Sequence, residues 1–384
     1  MNIPNKIILT LLLSIALLLV QETSMAFFKS TLNSDEFYQL IEEETKNESM
    51  TQIENIEISG FALRDKDIEN IQFTSVDWTD INAESKKFNH VIFEDCSLKN
   101  VNFRNTTLIN VTFKNCTLTN VVFNNSIIEN LRFEESKLVS TDSNVKNSYR
   151  ELVADKITFE KTELKNINFF DSKAEFYFSH SKLDDVTGMG LKPGSALYFS
   201  HVDAFDIDFS SSDLSTLEVK NSTIKKSKAN GCTIGQVLLE DSQLDFPIAD
   251  GIRFDSVISK NTGDVIVSGT PIKKTYIENC PKDTNTIFVG GDAFDSIEIE
   301  NCNATDIVFF RSKGKYVSIE NADIYKLDFR QSNVEHLKLN NINIKTELYY
   351  DDTKIKKLET TNISFGADLD HTRENTNIEI KEDK

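Results

Sequence analysis

The sequence predicts an all-β repeat solenoid, and three observations predict it. The first is an apolar beat of five. From Ile53 through Ile58, Leu63, Ile68, Phe73, Trp78, Ala83, Phe88 and Phe93 to Leu138, eighteen consecutive pentads carry an apolar residue at the same place, position i. The second is a companion small or apolar residue at i−2: Val91, Cys96, Val101, Thr106, Val111, Cys116, Val121, Ser126, Leu131 and Ser136. A period of five fits neither the 3.6 of a helix nor the 2.0 of a plain strand, whereas i−2 and i facing one way is the geometry of a short strand. The third is asparagine at i+2, as in Asn100, Asn105, Asn110, Asn115, Asn120, Asn125 and Asn130. Asparagine tolerates the left-handed conformation that a corner after each short strand needs.

This spacing resembles the pentapeptide-repeat family. The resemblance implies a right-handed quadrilateral parallel β-helix with one pentad per side and twenty residues per coil. The common form of that family has Ala at i−2, Asp or Asn at i−1 and Leu at i. This chain keeps the inward logic but moves its Asn to i+2 and uses far more Phe. If the coil is four-sided, residues twenty apart stack: Ile53, Phe73, Phe93, Phe113 and Phe133 on one side, and Ile58, Trp78, Leu98, Leu118 and Leu138 on the next. Phenylalanine columns favour offset stacking and large apolar burial, which suits a chain of 27 Phe and one Trp.

The beat returns at Phe159, Leu164 and Phe169. It runs again from Phe199 to Leu244 and from Ile299 to Ile344, closing at Tyr350, Ile355, Thr360 and Phe365. Single-residue additions between Leu138 and Tyr149, Leu183 and Phe199, and Ile344 and Tyr350 read as bulges that leave a stack intact. Gly188–Gly194, Lys260–Asp264 and Cys280–Asn285 read as loops. The organisation expected is a signal peptide over 1–26, an N-terminal cap segment over 27–52, the β-helix over 53–365, and a charged, disordered tail over 366–384.

Met1–Ala26 has Lys6, an apolar run Ile7–Val20 and the small-x-small site Ser24-Met25-Ala26, so export to a periplasm or the outside is expected, with no stable membrane span after cleavage. In the cap, Asn33 with Glu36 three residues on predicts a helix over Ser34–Thr45, with Phe37, Leu40 and Ile41 as its apolar stripe. The formal net charge of −19 disfavours binding to nucleic acid through phosphates and suits a basic partner. Of five cysteines, Cys96 and Cys116 read as stacked, buried, unbridged thiols. Cys232 and Cys302 take i−2 sites, and Cys280 reads as a loop residue.

No motif for phosphate binding, a nucleophile elbow or a zinc protease is present. No catalytic residue, cofactor or metal site is expected. The residues that would supply a metal site are His180 and His201, from the duplicated phrases Tyr177-Phe178-Ser179-His180 and Tyr198-Phe199-Ser200-His201, with Asp203 nearby. The function expected is an exported, non-enzymatic scaffold presenting a rigid acidic surface to a protein partner. Two alternatives are an acidic DNA-mimic inhibitor of a DNA-binding enzyme, which some members of the resembling family are, and a β-helical carbohydrate-active enzyme. Against the last, no basic groove for an acidic polysaccharide is visible in the sequence.

Overall fold

In the computed structural model the described residues are 29–44, 50–64, 66–141, 147–244 and 293–366, most of the strands between 253 and 290, and two short strands near the end. The chain winds as a right-handed, four-sided parallel β-helix of about 14 turns, with one short helix at its start. All strand pairing among the described residues is parallel, and the register is the expected one coil: Phe73 pairs with Phe93, Phe93 with Phe113, and Phe113 with Phe133. On the adjoining side Ile58, Trp78, Leu98, Leu118 and Leu138 stack in order.

The i positions fill the interior. Ring centroids along the Phe73, Phe93, Phe113, Phe133, Phe159 column are 5.2, 4.7, 5.1 and 5.0 Å apart, with interplanar angles of 22° or less. A second column, Phe103, Phe123 and Tyr149, packs edge-on against the first. The i−2 positions solve a different problem. Ser126 and Ser136 donate their hydroxyls to the carbonyls of Phe103 and Phe113 at 2.8 and 3.1 Å, and accept the N–H groups of Thr106 and Cys116. Small polar side chains can therefore be buried at i−2 because each satisfies two backbone groups that the turning chain would leave unpaired.

Asparagine at i+2 has the conformation it was read for. Asn100, Asn105, Asn110, Asn115, Asn120, Asn125 and Asn130 all have φ between +51° and +58°. The third expected consequence, a left-handed corner after every pentad, stops part-way along the rod: Lys156, Glu175, Thr216 and Gln236 already lie inside strands with no left-handed turn. From residue 293 only alternate corners are left-handed, at Asn301, Arg311, Asn321, Gln331, Asn341, Asp352 and Asn362. The others run straight through the long strands Lys313–Asp328 and Asn333–Tyr349. Their i+2 residues include Tyr316, Lys326 and His336, which carry no such preference.

The N-terminal end is closed as read. A helix spans Ser34–Glu44. The Asn33 side chain accepts the N–H groups of Asp35 and Glu36, and the Glu36 carboxylate accepts the Asn33 N–H, a reciprocal cap. Phe37, Tyr38 and Ile41 are buried on the first coil, with Phe37 edge-on to Trp78, while Leu40 packs beside them less deeply. Strand Ser30–Leu32 extends one side of the helix by pairing with Ile56–Ser59. The signal-like segment 1–26 lies outside the described residues. At the other end two short strands are described within the segment 366–384. Asp370–Thr372 and Asn377–Ile380 pair in parallel with the last two long strands, because an open coil edge presents a row of backbone groups that a following segment can satisfy.

The cysteines bring a correction. Cys96, Cys116 and Cys232 are buried free thiols, and the first two donate to the carbonyls of Phe73 and Phe93. Cys280, however, does not stand alone in a loop. It follows the left-handed corner at Asn279, is buried, and forms a disulfide with Cys302 of the next coil, with the Cα atoms 4.6 Å apart. Stacked i−2 cysteines can thus be bridged. Here the separation is 22 residues rather than twenty, and the register that pairs Glu278 with Glu300 sets the two cysteines one coil apart.

Candidate interaction surface

Inward residues are committed to packing, so the outward rows carry whatever the rod does. Between coils these rows are cross-linked. Amide ladders run Asn100 to Asn120, Asn110 to Asn130 and Asn321 to Asn341, at 2.9 to 3.2 Å. Ion pairs climb the same way: Lys114 to Glu94 at 2.6 Å, Lys161 to Glu135 at 2.9 Å and Lys165 to Asp184 at 2.9 Å. Each of these exposed pairs adds little stability, but together they fix side chains that would otherwise sweep solvent.

The duplicated phrase is explained by one coil of stacking. Phe178 and Phe199 point inward with rings 5.0 Å apart. Tyr177 and Tyr198 point outward and stack at 4.4 Å, with the Lys156 ammonium 4.5 Å over the first ring. His180 and His201 stack on an exposed corner with centroids 4.6 Å apart and planes 3° from parallel. The hydroxyls of Ser179 and Ser200 lie 2.9 and 3.0 Å from their Nδ1 atoms. The structure therefore brings His180 and His201 together. Asp203 lies past the corner, on the next strand, paired across to Lys182 and Thr223. Among the described residues no group of three or more His, Cys, Asp or Glu side chains could hold a metal ion.

Of the sequence-read loops, Gly188–Gly194 is a tight turn that keeps Leu191 in the core. Most of Cys280–Asn285 and of Lys260–Asp264 lies outside the described residues.

A groove that sequence reasoning missed lies on the C-terminal coils. It has a volume of about 540 Å³ and is lined by Lys273, Lys313, Lys315 and Lys356 against two carboxylates, Asp295 and Glu335. Its walls are two outward rows and its floor is the i position between them, where Phe294 and Gly314 face inward. The short side chains of Ala293 and Asn333 keep one wall low. A Cβ on Gly314 would overlap the Phe294 ring, so glycine here is what lets that ring fill the interior. The lysines are spread over more than eighty residues of an acidic chain, and each alone reads as a solvated charge. Only the coil stacks them.

A one-coil register, inward i columns and left-handed i+2 corners together coincide with a known repeat. Residues 66–142 match the family described as Pentapeptide repeat region. This stretch is a pentapeptide-repeat region. The match ends where the coil length stops being constant, and parallel coil-to-coil pairing continues among the described residues to Phe365. No curated protein matches the chain. Among solved structures it is similar to HetL, a pentapeptide repeat protein involved in heterocyst differentiation regulation from the cyanobacterium Nostoc sp. strain PCC 7120, at 13% identity and TM-score 0.28, over 57% of this chain and 98% of that one. It is similar to QnrB1, a plasmid-mediated fluoroquinolone resistance protein, at 18% identity and TM-score 0.25, over 52% of this chain and 91% of that one. It is also similar to the periplasmic alginate epimerase AlgG, at 8% identity and TM-score 0.19, over 87% and 83%. At these scores the likenesses carry no functional argument.

Proposed function

We propose that this pentapeptide-repeat protein is exported and acts as a non-enzymatic binding scaffold, presenting its acidic surface to a protein partner that bears a basic patch. The observation that carries the reading is the ordering of the outward rows. Amide and ion-pair ladders hold them in fixed columns on a packed core, so association costs little further side-chain entropy. Export is supported by the signal-like segment Met1–Ala26 and by the Cys280–Cys302 disulfide, since such bonds persist mainly in oxidising compartments.

Two measurements on the protein from its native host test this. N-terminal sequencing should read Phe27 first. Capture with the cleaved protein from an extract of the same compartment should retain a basic partner at low salt and release it progressively as salt screens the contact. An intact Met1 in the cytoplasm, with Cys280 and Cys302 reduced, would sink the export reading. It would favour the DNA-mimic alternative, which the net charge of −19 also supports.

A further inference from the structure

We propose that the C-terminal groove binds an acidic oligosaccharide, a linear chain of uronate-type sugars lying along the rod axis. The inference is independent of the protein-partner reading.

Charge comes first. On a chain of net charge −19, this concavity gathers four lysines against two carboxylates. Lys315 pairs with Asp295 at 2.6 Å and Lys356 with Glu335 at 3.3 Å, but all four groups are more than half exposed, so a ligand anion can replace either partner at small cost. Among the described residues Lys313 has no carboxylate partner.

Direction follows from the fold. Register places Lys273, Asp295, Lys315, Glu335 and Lys356 in one row, one residue per coil. Coils rise by ~4.8 Å, so successive lysines of that row stand roughly 10 Å apart along the axis. The groove therefore crosses the strands, and its ligand is elongated and repeats its charge.

Chemistry then separates the linear anions. A peptide cannot add to the sheet here, because strand addition needs an open edge and the backbone of these strands is already paired coil to coil. Nor is there an apolar anchor of the kind that carries protein contacts, because Phe294 is only 4% exposed and its neighbours on the floor and low wall are glycine and alanine. A bare polyanion such as polyphosphate would meet repulsion from Asp295 and Glu335. A uronate sugar fits both halves of the lining. Its carboxylate faces the ammonium groups, and its hydroxyls donate to Asp295, Glu335 and the Asn333 side-chain oxygen.

The test titrates the purified full-length protein at low ionic strength with four probes: a hexagalacturonate, its methyl ester, a poly-glutamate and an inorganic polyphosphate of matched charge. The uronate should bind saturably, and the ester, which has lost its charge, should not. The other two polyanions should bind at least about tenfold more weakly. Lys313→Gln, Lys315→Gln and Lys356→Gln combined should weaken the uronate by about tenfold or more while leaving the unfolding midpoint unchanged, since these side chains touch no core. Binding that survives the triple substitution, no uronate binding at all, or equal or tighter binding of poly-glutamate or polyphosphate would each overturn the proposal.

Discussion

Phe113→Ala should destabilise the rod by ~3–5 kcal/mol, the range for deleting a buried aromatic ring from a core that cannot collapse around the hole. Phe113 is held between Phe93 and Phe133, with centroids 4.7 and 5.1 Å away, and meets the second column edge-on at Phe123. The coils above and below are locked by backbone pairing and cannot close up. Asn115→Ala, two residues on, should cost less, about 1–2 kcal/mol. That residue has φ of +51° and donates to Asp95 at 2.6 Å, so alanine there takes the left-handed penalty and loses one exposed hydrogen bond. Asn115→Gly should recover most of the loss, because glycine enters that region freely. Since a solenoid is stabilised by neighbouring coils, the Phe113→Ala effect should concentrate in the coils from Phe93 to Phe133 and be read best by hydrogen exchange. Equal urea midpoints for Phe113→Ala and Asn115→Ala would contradict the assignment of position i to the interior.

The contrast between those two side chains shows what was legible in the sequence. Position i and position i−2 are dictated by burial, and burial leaves a periodic trace. Phe93 with Phe113 and Cys96 with Cys116 could therefore be stacked on paper, and the structure stacks them. The Asn33 cap was legible because a reciprocal cap is purely local. Three things were not legible. The relaxed corners at Tyr316 and His336 follow from continuous pairing between long strands, at residues with no left-handed preference to oppose it. The Cys280–Cys302 bridge depends on how many residues the intervening coil holds, in the stretch where the pentad beat is least regular. The groove at Lys313 and Lys315 depends on which exposed charges end up on one face, and exposed charges carry no periodic constraint. The His180 and His201 pair was legible as a stack because it repeats a four-residue phrase, and the stack is what the structure shows. Its chemistry stays with the zinc titration of the wild type against His180→Ala/His201→Ala, for which mutation-sensitive stoichiometric binding would argue for a metal role.

Cys280→Ala/Cys302→Ala, or reduction of the wild type, should lower stability by about 3 kcal/mol. Closing a loop of 22 residues removes roughly that much chain entropy from the unfolded state. Replacing both cysteines avoids leaving one unpaired thiol that could bridge wrongly. The loss should fall on the coils around Cys280 and Cys302 and leave the Phe column near Phe113 unchanged, because coupling along a solenoid passes mainly between neighbours. Thiol counting gives an independent control. The unfolded, unreduced chain should show three reactive thiols, Cys96, Cys116 and Cys232, and reduction should raise the count to five. The folded chain should label slowly at about pH 8, because all three thiols are buried away from the reagent that the thiolate would attack. Burial pushes the Cys232 thiol up to about 11. The Cys116 thiol is held above its ordinary range by its contact with the Cys96 thiol and by burial. Five thiols in the unfolded, unreduced protein would remove the disulfide, and with it one of the two supports for export. Three thiols together with a stability loss confined to the bridged coils would mean that the part of the rod with the least regular repeat is held by this bond.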